Sequence, residues 1–228
     1  MKANPAADLD LIELGHGQRP PGRWLTPSDA ARLLEACVDG TDQGERDHAL
    51  ICTAMLAGLR RAELARLRWR DIDLAQRRIS VKGKGGKLAT IGMAEQAATS
   101  IHRWRETVIG SQGHKPRPDD PVFCTGRPQG GLRHSERLHV FDWRVPLSLW
   151  GIRKVIARRA EDAGLGVVAT HDLRRTFAGF LDEQGVDLGG IQAALRHSSP
   201  DVTNRCYLEP SPRRAVRAVA ELRIEGLS

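Results

Sequence analysis

Residues 171–177 read HDLRRTF, and the residues that follow have the apolar spacing of an α-helix from about Asp172 to Gln184. His171 and Arg174 are three positions apart, so on a helix they share a face and can approach one ligand together. Arg175 points away from that face. The alternative is a capping histidine beside a surface arginine, and this motif alone leaves both interpretations open.

Helical spacing continues outward from this stretch over most of the chain. It predicts helices over about 26–37, 45–57, 61–67, 93–108, 148–163 and 188–195, with further helical patterns over 200–205 and 212–223. Residues 77–91 alternate apolar and polar side chains around GKGG at 83–86, which predicts a β-hairpin with a flexible, basic tip. The predicted fold class is α+β, mostly α, with a small antiparallel sheet.

Three segments with different composition define the expected organisation. Residues 1–23 end in a proline-rich RPPG and are interpreted as a flexible N-terminal segment or linker, followed by one domain over 24–210 and a helical tail over 211–228. Within the domain, Val122-Phe123 is predicted to be a short buried strand. Residues 125–146 are rich in Gly, Arg and His with little periodicity, so we interpret Thr125–Pro146 as a loop.

Two further motifs place single basic residues at turns. AGLRRAEL at 57–64 puts Arg60 where the chain enters a helix, and GKG at 83–85 puts Lys84 at the tip of the predicted hairpin. A helix entrance favours an anion near the arginine. The alternatives are a surface arginine paired with Glu63 and a solvated lysine that protects a sheet edge.

The last two candidate residues lie near the C-terminus. LRHSSP at 195–200 puts His197 at a junction between helices, where a histidine can equally well satisfy helix C-terminal carbonyls. Tyr207 is the only tyrosine of the chain. A lone tyrosine is more often a packed aromatic residue than a nucleophile, so its interpretation depends on the residues around it.

Composition narrows the classes of ligand. The net charge is +7, and nearly all of the positive charge comes from arginine, whose planar guanidinium suits phosphate oxygens. Nucleic acid is therefore a candidate partner, although a basic solvated surface gives the same composition. Cys37, Cys52, Cys124 and Cys206 are widely scattered and predict neither a metal site nor a disulfide framework.

Other classes of cofactor and location are not supported. The chain contains neither GxxxxGK[ST] nor GxGxxG, so we expect no nucleotide cofactor and no small-molecule substrate. No apolar run approaches the about 18 residues of a membrane span. We therefore expect a cytoplasmic protein without a membrane partner.

Taken in order along the chain, these motifs resemble the tyrosine recombinase, or phage-type integrase, family. The resemblance extends from about residue 24 to about residue 210 and is specific because five motifs occur in the family's order: GLRxxEL at 58–64, GKG at 83–85, HxxRxTF at 171–177, LxHS at 195–198 and the tyrosine at 207. It implies the family's catalytic domain. It also implies cleavage and rejoining of double-stranded DNA through a 3′-phosphotyrosyl link, without metal or ATP.

The resemblance also implies a role for each matching residue. Arg60 and Arg174 would bind the scissile phosphate, and His197 would hold one of its non-bridging oxygens. His171 would assist deprotonation of the nucleophile Tyr207, and Lys84 on the hairpin would protonate the leaving 5′ oxygen. We interpret the 125–146 loop, from its own composition, as facing the DNA. The amphipathic 211–228 tail would pack on its own domain or, as the resemblance implies, dock on a neighbouring subunit of a homotetramer on DNA.

Three departures from the family pattern affect these expectations. Tyr207 lies ten positions after His197, where the family's tyrosine usually falls one residue earlier, at the position of Cys206. We expect Tyr207 to be the nucleophile. Arg196 occupies a position that is usually glycine, and the segment before Trp24 is too short for the family's helical DNA-binding domain, as in a fragment or a naturally short recombinase.

Two alternatives remain at this stage. A type IB topoisomerase shares the phosphotyrosine chemistry but relaxes supercoiled DNA. A non-catalytic DNA-binding module with a relic of the site would bind DNA without forming a covalent adduct.

Overall fold

A computed structural model describes residues 24–82, 88–128 and 139–196. Over these ranges the chain forms seven α-helices, one short 3₁₀ helix at Trp69–Asp71 and two small antiparallel sheets. The prediction of a mostly helical α+β fold is confirmed. The helices are α1 (Pro27–Glu35), α2 (Asp42–Leu56), α3 (Arg61–Arg66), α4 (Glu95–Gly110), α5 (Leu149–Asp162), α6 (Thr170–Glu183) and α7 (Leu188–Leu195), and the strands are β1 (Ile72–Asp73), β2 (Arg78–Lys82), β3 (Leu88–Gly92), β4 (Cys124–Pro128) and β5 (His139–Pro146).

Side-chain caps determine where several helices begin. Thr26 accepts a hydrogen bond from the backbone N–H of Asp29 at 3.1 Å, and Ser148 caps α5 in the same way. Such caps satisfy N–H groups that have no partner within the helix. The start of α2 was predicted about three residues too late, because Thr41 is its cap and accepts from the backbone of Gly44 at 3.0 Å.

Helix α2 forms the centre of the core. Its residues 49–55 are all buried, and it packs against α4 on one side and against α6 on another. Burial of this apolar surface is the main favourable term for folding. Because α2 contacts α6, the turn that follows α2 lies beside the helix that carries His171 and Arg174.

The predicted hairpin is confirmed in the two strands that the structure describes. β2 pairs antiparallel with β3 from Lys82↔Leu88 to Arg78↔Gly92, and β1 adds a short third strand. The alternating burial of β2 directs Ile79 and Val81 into the core. The hairpin tip, including Lys84, lies outside the described residues.

Two predictions between α4 and α5 were wrong. Val122 and Phe123 are buried but do not form a strand, because their backbone groups bond to irregular partners: Val122 N–H donates to Leu67, and Phe123 C=O accepts from Leu147. The ends of the expected Thr125–Pro146 loop form most of an antiparallel pair, β4 with β5, in which the register shifts between Cys124 and Thr125.

A buried ionic cluster joins α2 to α5. Asp47 is fully buried and accepts hydrogen bonds from Arg46 at 2.7 Å, from Arg159 at 3.1 Å and from Arg158 at 2.5 Å. Arg159 also binds Asp39 at 2.8 Å. A carboxylate removed from water in this way requires such partners.

The first described residues pack on α6. Leu25 is fully buried, and its backbone N–H donates to the Thr176 hydroxyl at 2.8 Å. The Trp24 ring lies against Gly179, where an added Cβ would approach it to 2.5 Å. Among the described helices, none is both long and apolar enough to cross a bilayer.

Candidate active site

Arg174 lies on the buried side of α6, with only 2% of its surface exposed. Its Nη1 donates to the carbonyl of Gly58 and its Nη2 donates to the carbonyl of Leu195. A buried guanidinium is stable only when hydrogen bonds replace its hydration. Arg174 therefore links the turn after α2 to the end of α7.

Arg60 lies at the N-cap of α3 and its side chain is exposed. Glu63 binds it twice: one carboxylate oxygen accepts from the Arg60 backbone N–H at 2.8 Å, and the other accepts from Nη1 at 3.0 Å. The Arg60 Nη2 donates to the carbonyl of Arg196 at 3.1 Å. The pairing with Glu63 that the sequence suggested is present, but it is only one of several contacts that orient Arg60.

Both arginines converge on the C-terminal end of α7. Arg174 binds the carbonyl of Leu195, and Arg60 binds the carbonyl of the next residue, Arg196. The carbonyls at a helix C-terminus lack an N–H donor within the helix and carry partial negative charge, so they accept hydrogen bonds from cationic groups. Two guanidinium groups that are far apart in sequence are thereby brought together at the turn that precedes His197.

Gly58 makes this approach possible. Its φ is +59°, and an added Cβ would lie 2.5 Å from the Phe177 ring. Glycine adopts a left-handed backbone at little energetic cost and has no Cβ. This turn therefore brings the Gly58 carbonyl to Arg174 and leads the chain through Leu59 into Arg60.

His171 lies in the first turn of α6 and is exposed. It precedes Arg174 by about one helical turn, as the sequence predicted. Asp172 caps the helix by accepting from the backbone N–H of Ala169 at 2.9 Å, and it also binds Arg175 at 3.3 Å. Arg175 is thus engaged on its own helix.

Three of the predicted site residues, Lys84, His197 and Tyr207, lie outside the described residues, as do Cys206 and the predicted helices over 200–205 and 212–223. The structure therefore brings together Arg60 and Arg174 and places His171 near the start of the helix that carries Arg174. Over the described ranges, no cluster of His, Cys, Asp or Glu has the composition of a metal site.

Arg196 is a part of this cluster that the sequence motifs did not assign. It ends α7 with φ 54° and ψ 44°, a left-handed conformation. Its Nη2 donates at 2.6 Å to Glu63 Oε2, the oxygen that also accepts from the Arg60 backbone N–H. Burial lowers the pKa of the Arg196 guanidinium, against an opposing effect of Glu63. In the sequence, the signal for this role is that Arg196 occupies a position where the family's motif usually has glycine.

Comparison with known proteins places the chain in a family. A model of the phage integrase family matches residues 23–214. The chain belongs to the phage integrase family. Tyrosine recombinase XerC of Thermodesulfovibrio yellowstonii is 28% identical over 206 residues, which are 89% of this chain and 62% of that protein. The chain thus spans about three fifths of the length of this curated relative.

Solved structures share the fold of this integrase-family chain. The XerA recombinase superposes with a TM-score of 0.67 at 24% identity, over 89% of this chain and 66% of that one. The XerH recombinase bound to its difH substrate in a pre-cleavage complex gives a TM-score of 0.65 at 24% identity, over 92% of this chain and 56% of that one. These two likenesses concern the fold.

Proposed function

We propose that this chain is the catalytic domain of a tyrosine site-specific recombinase, which cleaves and rejoins DNA strands through a 3′-phosphotyrosyl intermediate. The observation that carries the proposal is the convergence of Arg60 and Arg174 on the end of α7. Family membership supports it, because the two arginines stand at the motif positions that match the family's phosphate-binding residues.

Two adjacent guanidinium groups can neutralise the negative charge that develops on a phosphate during phosphodiester cleavage. The phosphate is anionic, and further negative charge builds on its non-bridging oxygens as a nucleophile attacks. Arginine donates paired N–H groups to such oxygens, and donors fixed in advance stabilise the transition state more than mobile ones. Arg60 and Arg174 are fixed by Glu63 and by backbone carbonyls, so they meet this requirement.

In the proposed step, the Tyr207 oxygen forms a bond to phosphorus while the bond from phosphorus to the 5′ oxygen breaks. His171 takes the phenol proton, and Lys84 gives a proton to the departing 5′ oxygen. His197 holds a non-bridging oxygen. Reversal by another 5′ hydroxyl reseals a strand and releases Tyr207, so the phosphotyrosyl bond itself conserves the energy needed for rejoining.

The proposed partner is double-stranded DNA. XerH, which shares this fold, is bound to its difH substrate in its solved structure, and arginine supplies nearly all the positive charge of this chain. Neutralisation of backbone phosphates by basic residues gives salt-dependent affinity. We further propose a homotetramer on DNA and a cytoplasmic location.

A nicked suicide substrate tests the proposal. Duplexes taken from inverted repeats in the DNA that flanks the gene, nicked near the scissile phosphate, should trap the full chain as a covalent complex that resists denaturing electrophoresis. Tyr207→Phe should abolish the complex and Cys206→Ser should not. Specific gel-shift binding without any covalent complex would instead identify a DNA-binding module with a relic site.

Binding without a covalent complex is a relevant outcome because Tyr207 lies one position later than the family's usual spacing. A topoisomerase would be recognised by relaxation of supercoiled plasmid without recombinant product. A substrate with two repeats in one plasmid separates these activities, because only a recombinase deletes or inverts the intervening DNA.

A further inference from the structure

Arg196 is an unfavourable residue for the fold at its position. Its φ of 54° lies in the left-handed region, where an L-residue with a Cβ is strained and glycine is not. Its side chain is 13% exposed, and within the described part of the chain its Nε and Nη1 are buried without a hydrogen-bond partner. Backbone strain and buried donors without partners both lower stability. Glycine would end α7 more favourably.

Apart from its backbone N–H, which bonds within α7, the described hydrogen bonds of Arg196 lead to Arg60. Its carbonyl accepts from the Arg60 Nη2 at 3.1 Å, and its Nη2 donates to Glu63 Oε2 at 2.6 Å. Oε1 of the same carboxylate accepts from the Arg60 Nη1 at 3.0 Å. Arg196 therefore holds one terminal nitrogen of Arg60 directly and the other through Glu63.

The sharing of Glu63 also affects the charge of the site. A carboxylate with one arginine partner favours a bidentate pair, in which both oxygens bind the same guanidinium. Here Oε2 accepts from both the Arg60 backbone N–H at 2.8 Å and the Arg196 Nη2 at 2.6 Å, so the Arg60 side chain keeps a single bond, to Oε1. The three side chains together carry one net positive charge, with Arg60 the exposed member.

We infer that Arg196 is a positioning residue for Arg60. Together with the Arg60 backbone N–H it holds Glu63 Oε2 away from the Arg60 guanidinium, and its carbonyl holds the Arg60 Nη2, so the guanidinium stays directed at the scissile phosphate. This inference rests on the proposed function, and it deepens it by adding a third arginine that does not touch the DNA. An arginine that acts in this way should affect strand cleavage more than DNA affinity.

Arg196→Gly separates positioning from fold stability. The substitution removes the strain and the buried guanidinium, so the free energy of unfolding should stay the same or rise. The single-turnover rate of covalent complex formation on the nicked duplex should nevertheless fall about ten- to a hundredfold, because small misplacement of a catalytic group has effects of that size. Arg196→Lys, which keeps a cation for Glu63, should recover part of the rate. If Arg196→Gly cleaves as fast as the wild type, the inference is wrong.

A double-mutant cycle identifies the residue through which Arg196 acts. In an Arg60→Lys background, Arg196→Gly should lower the remaining rate by less than about twofold, because coupled sites are not additive. Rate losses that multiply would show that Arg196 acts independently of Arg60, and would overturn the inference.

A third measurement does not depend on cleavage. In ¹⁵N–¹H spectra of the full chain, the Arg60 Nη groups, assigned by their loss in Arg60→Lys, should show slow rotation about their C–N bonds in the wild type. In Arg196→Gly they should rotate faster. If the wild type forms no covalent complex, the proposed function fails while this comparison still tests the positioning role; identical Arg60 signals in both proteins would overturn the inference.

Discussion

Substitution of Gly58 by alanine should reveal how tightly the turn before Arg60 is packed. An alanine Cβ at this position would lie 2.5 Å from Phe177 Cδ1 and 2.8 Å from Cε1. Carbon atoms in contact are normally about 3.5–4.0 Å apart, so the ring or the backbone must move. Phe177 is packed against the small apolar cluster of α6 and α7, which restricts the movement of the ring.

Backbone strain and steric overlap both contribute to the loss of stability expected in Gly58→Ala. The left-handed backbone at φ +59° costs an L-residue about 1–2 kcal/mol. Overpacking of a filled site typically adds about 1–3 kcal/mol. Gly58→Ala should therefore lower the free energy of unfolding by about 2–5 kcal/mol.

Gly40→Ala is the matched control. Gly40 has a similar φ of +73°, but no atom lies within 4 Å of its added Cβ, so only the backbone term applies. Urea unfolding followed by tryptophan fluorescence gives both free energies, and Gly58→Ala/Phe177→Leu should recover part of the difference. Because Arg174 binds the Gly58 carbonyl, Gly58→Ala should also slow covalent complex formation. Equal destabilisation by Gly58→Ala and Gly40→Ala would show that the Phe177 ring adds no steric cost at position 58.

Three further predictions concern groups away from the candidate site. Asp47→Asn should destabilise the protein by about 3–5 kcal/mol in urea, since it leaves buried arginines without a counter-charge. Asp162→Asn, which changes an exposed carboxylate 3.9 Å from Arg159, should cost less than about 1 kcal/mol. Similar losses would mean that burial of Asp47 does not determine its contribution. Thr176→Val should lower the free energy of unfolding by about 1–3 kcal/mol and expose the Leu25 amide to hydrogen exchange, because it removes the buried acceptor of that N–H. Thr176→Ser keeps the hydroxyl and should retain the protection of the amide. Loss of protection in both variants would argue against the hydrogen bond. Burial raises the pKa of the Cys37 and Cys124 thiols to about 12 from 9.0, so iodoacetamide at pH 8 should label them only after unfolding.

The same thiol pKa values predict that the free energy of unfolding falls as the pH rises above 9. Between pH 9 and pH 12 the unfolded chain loses thiol protons that the folded chain keeps, so these groups stabilise the fold fully below pH 9 and progressively less as pH rises towards 12. The free energy of unfolding of the wild type should fall over this window more steeply than that of Cys37→Ala/Cys124→Ala. Parallel curves would contradict the assigned cause.

Local signals in the sequence predicted the helices well. The Thr26 cap with a proline after it, and the apolar spacing of residues 188–195, correspond to α1 and α7 as observed. In these elements the hydrogen bonds form between residues close in sequence, so capping and periodicity are sufficient. The hairpin of β2 and β3 was predicted for the same reason, since its strands are neighbours.

The pairing of β4 with β5 could not be predicted in this way. Its strands contain Gly126 and Pro128 and have no clear alternation, and the register shift after Cys124 interrupts the pattern further. The backbone hydrogen bonds that join Val122 to Leu67 and Phe123 to Leu147 likewise depend on tertiary packing. Burial without a local period does not distinguish a strand from an irregular segment.

At the candidate site, the sequence motifs pointed to candidate residues but not to the contacts that hold them. Arg60 and Arg174 were identified by their motifs, but the burial of Arg174 and the exposure of Arg60 depend on the packing of α6 against α2. The role of Glu63 as a bridge between Arg60 and Arg196 depends on the left-handed turn at the end of α7. No spacing rule connects positions 63 and 196.

Tandem mass spectrometry of the trapped complex shows whether a tyrosine of this chain becomes bonded to DNA phosphate, the step on which the proposed function depends. Trypsin and nuclease treatment leaves a peptide from Cys206 to Arg213 that contains both Cys206 and Tyr207. We expect fragment ions with the nucleotide on Tyr207 and an adduct that survives iodine, which cleaves sulfur–phosphorus bonds. A nucleotide on Cys206, or no modified peptide from a substrate that the protein binds specifically, would show that Tyr207 is not the nucleophile.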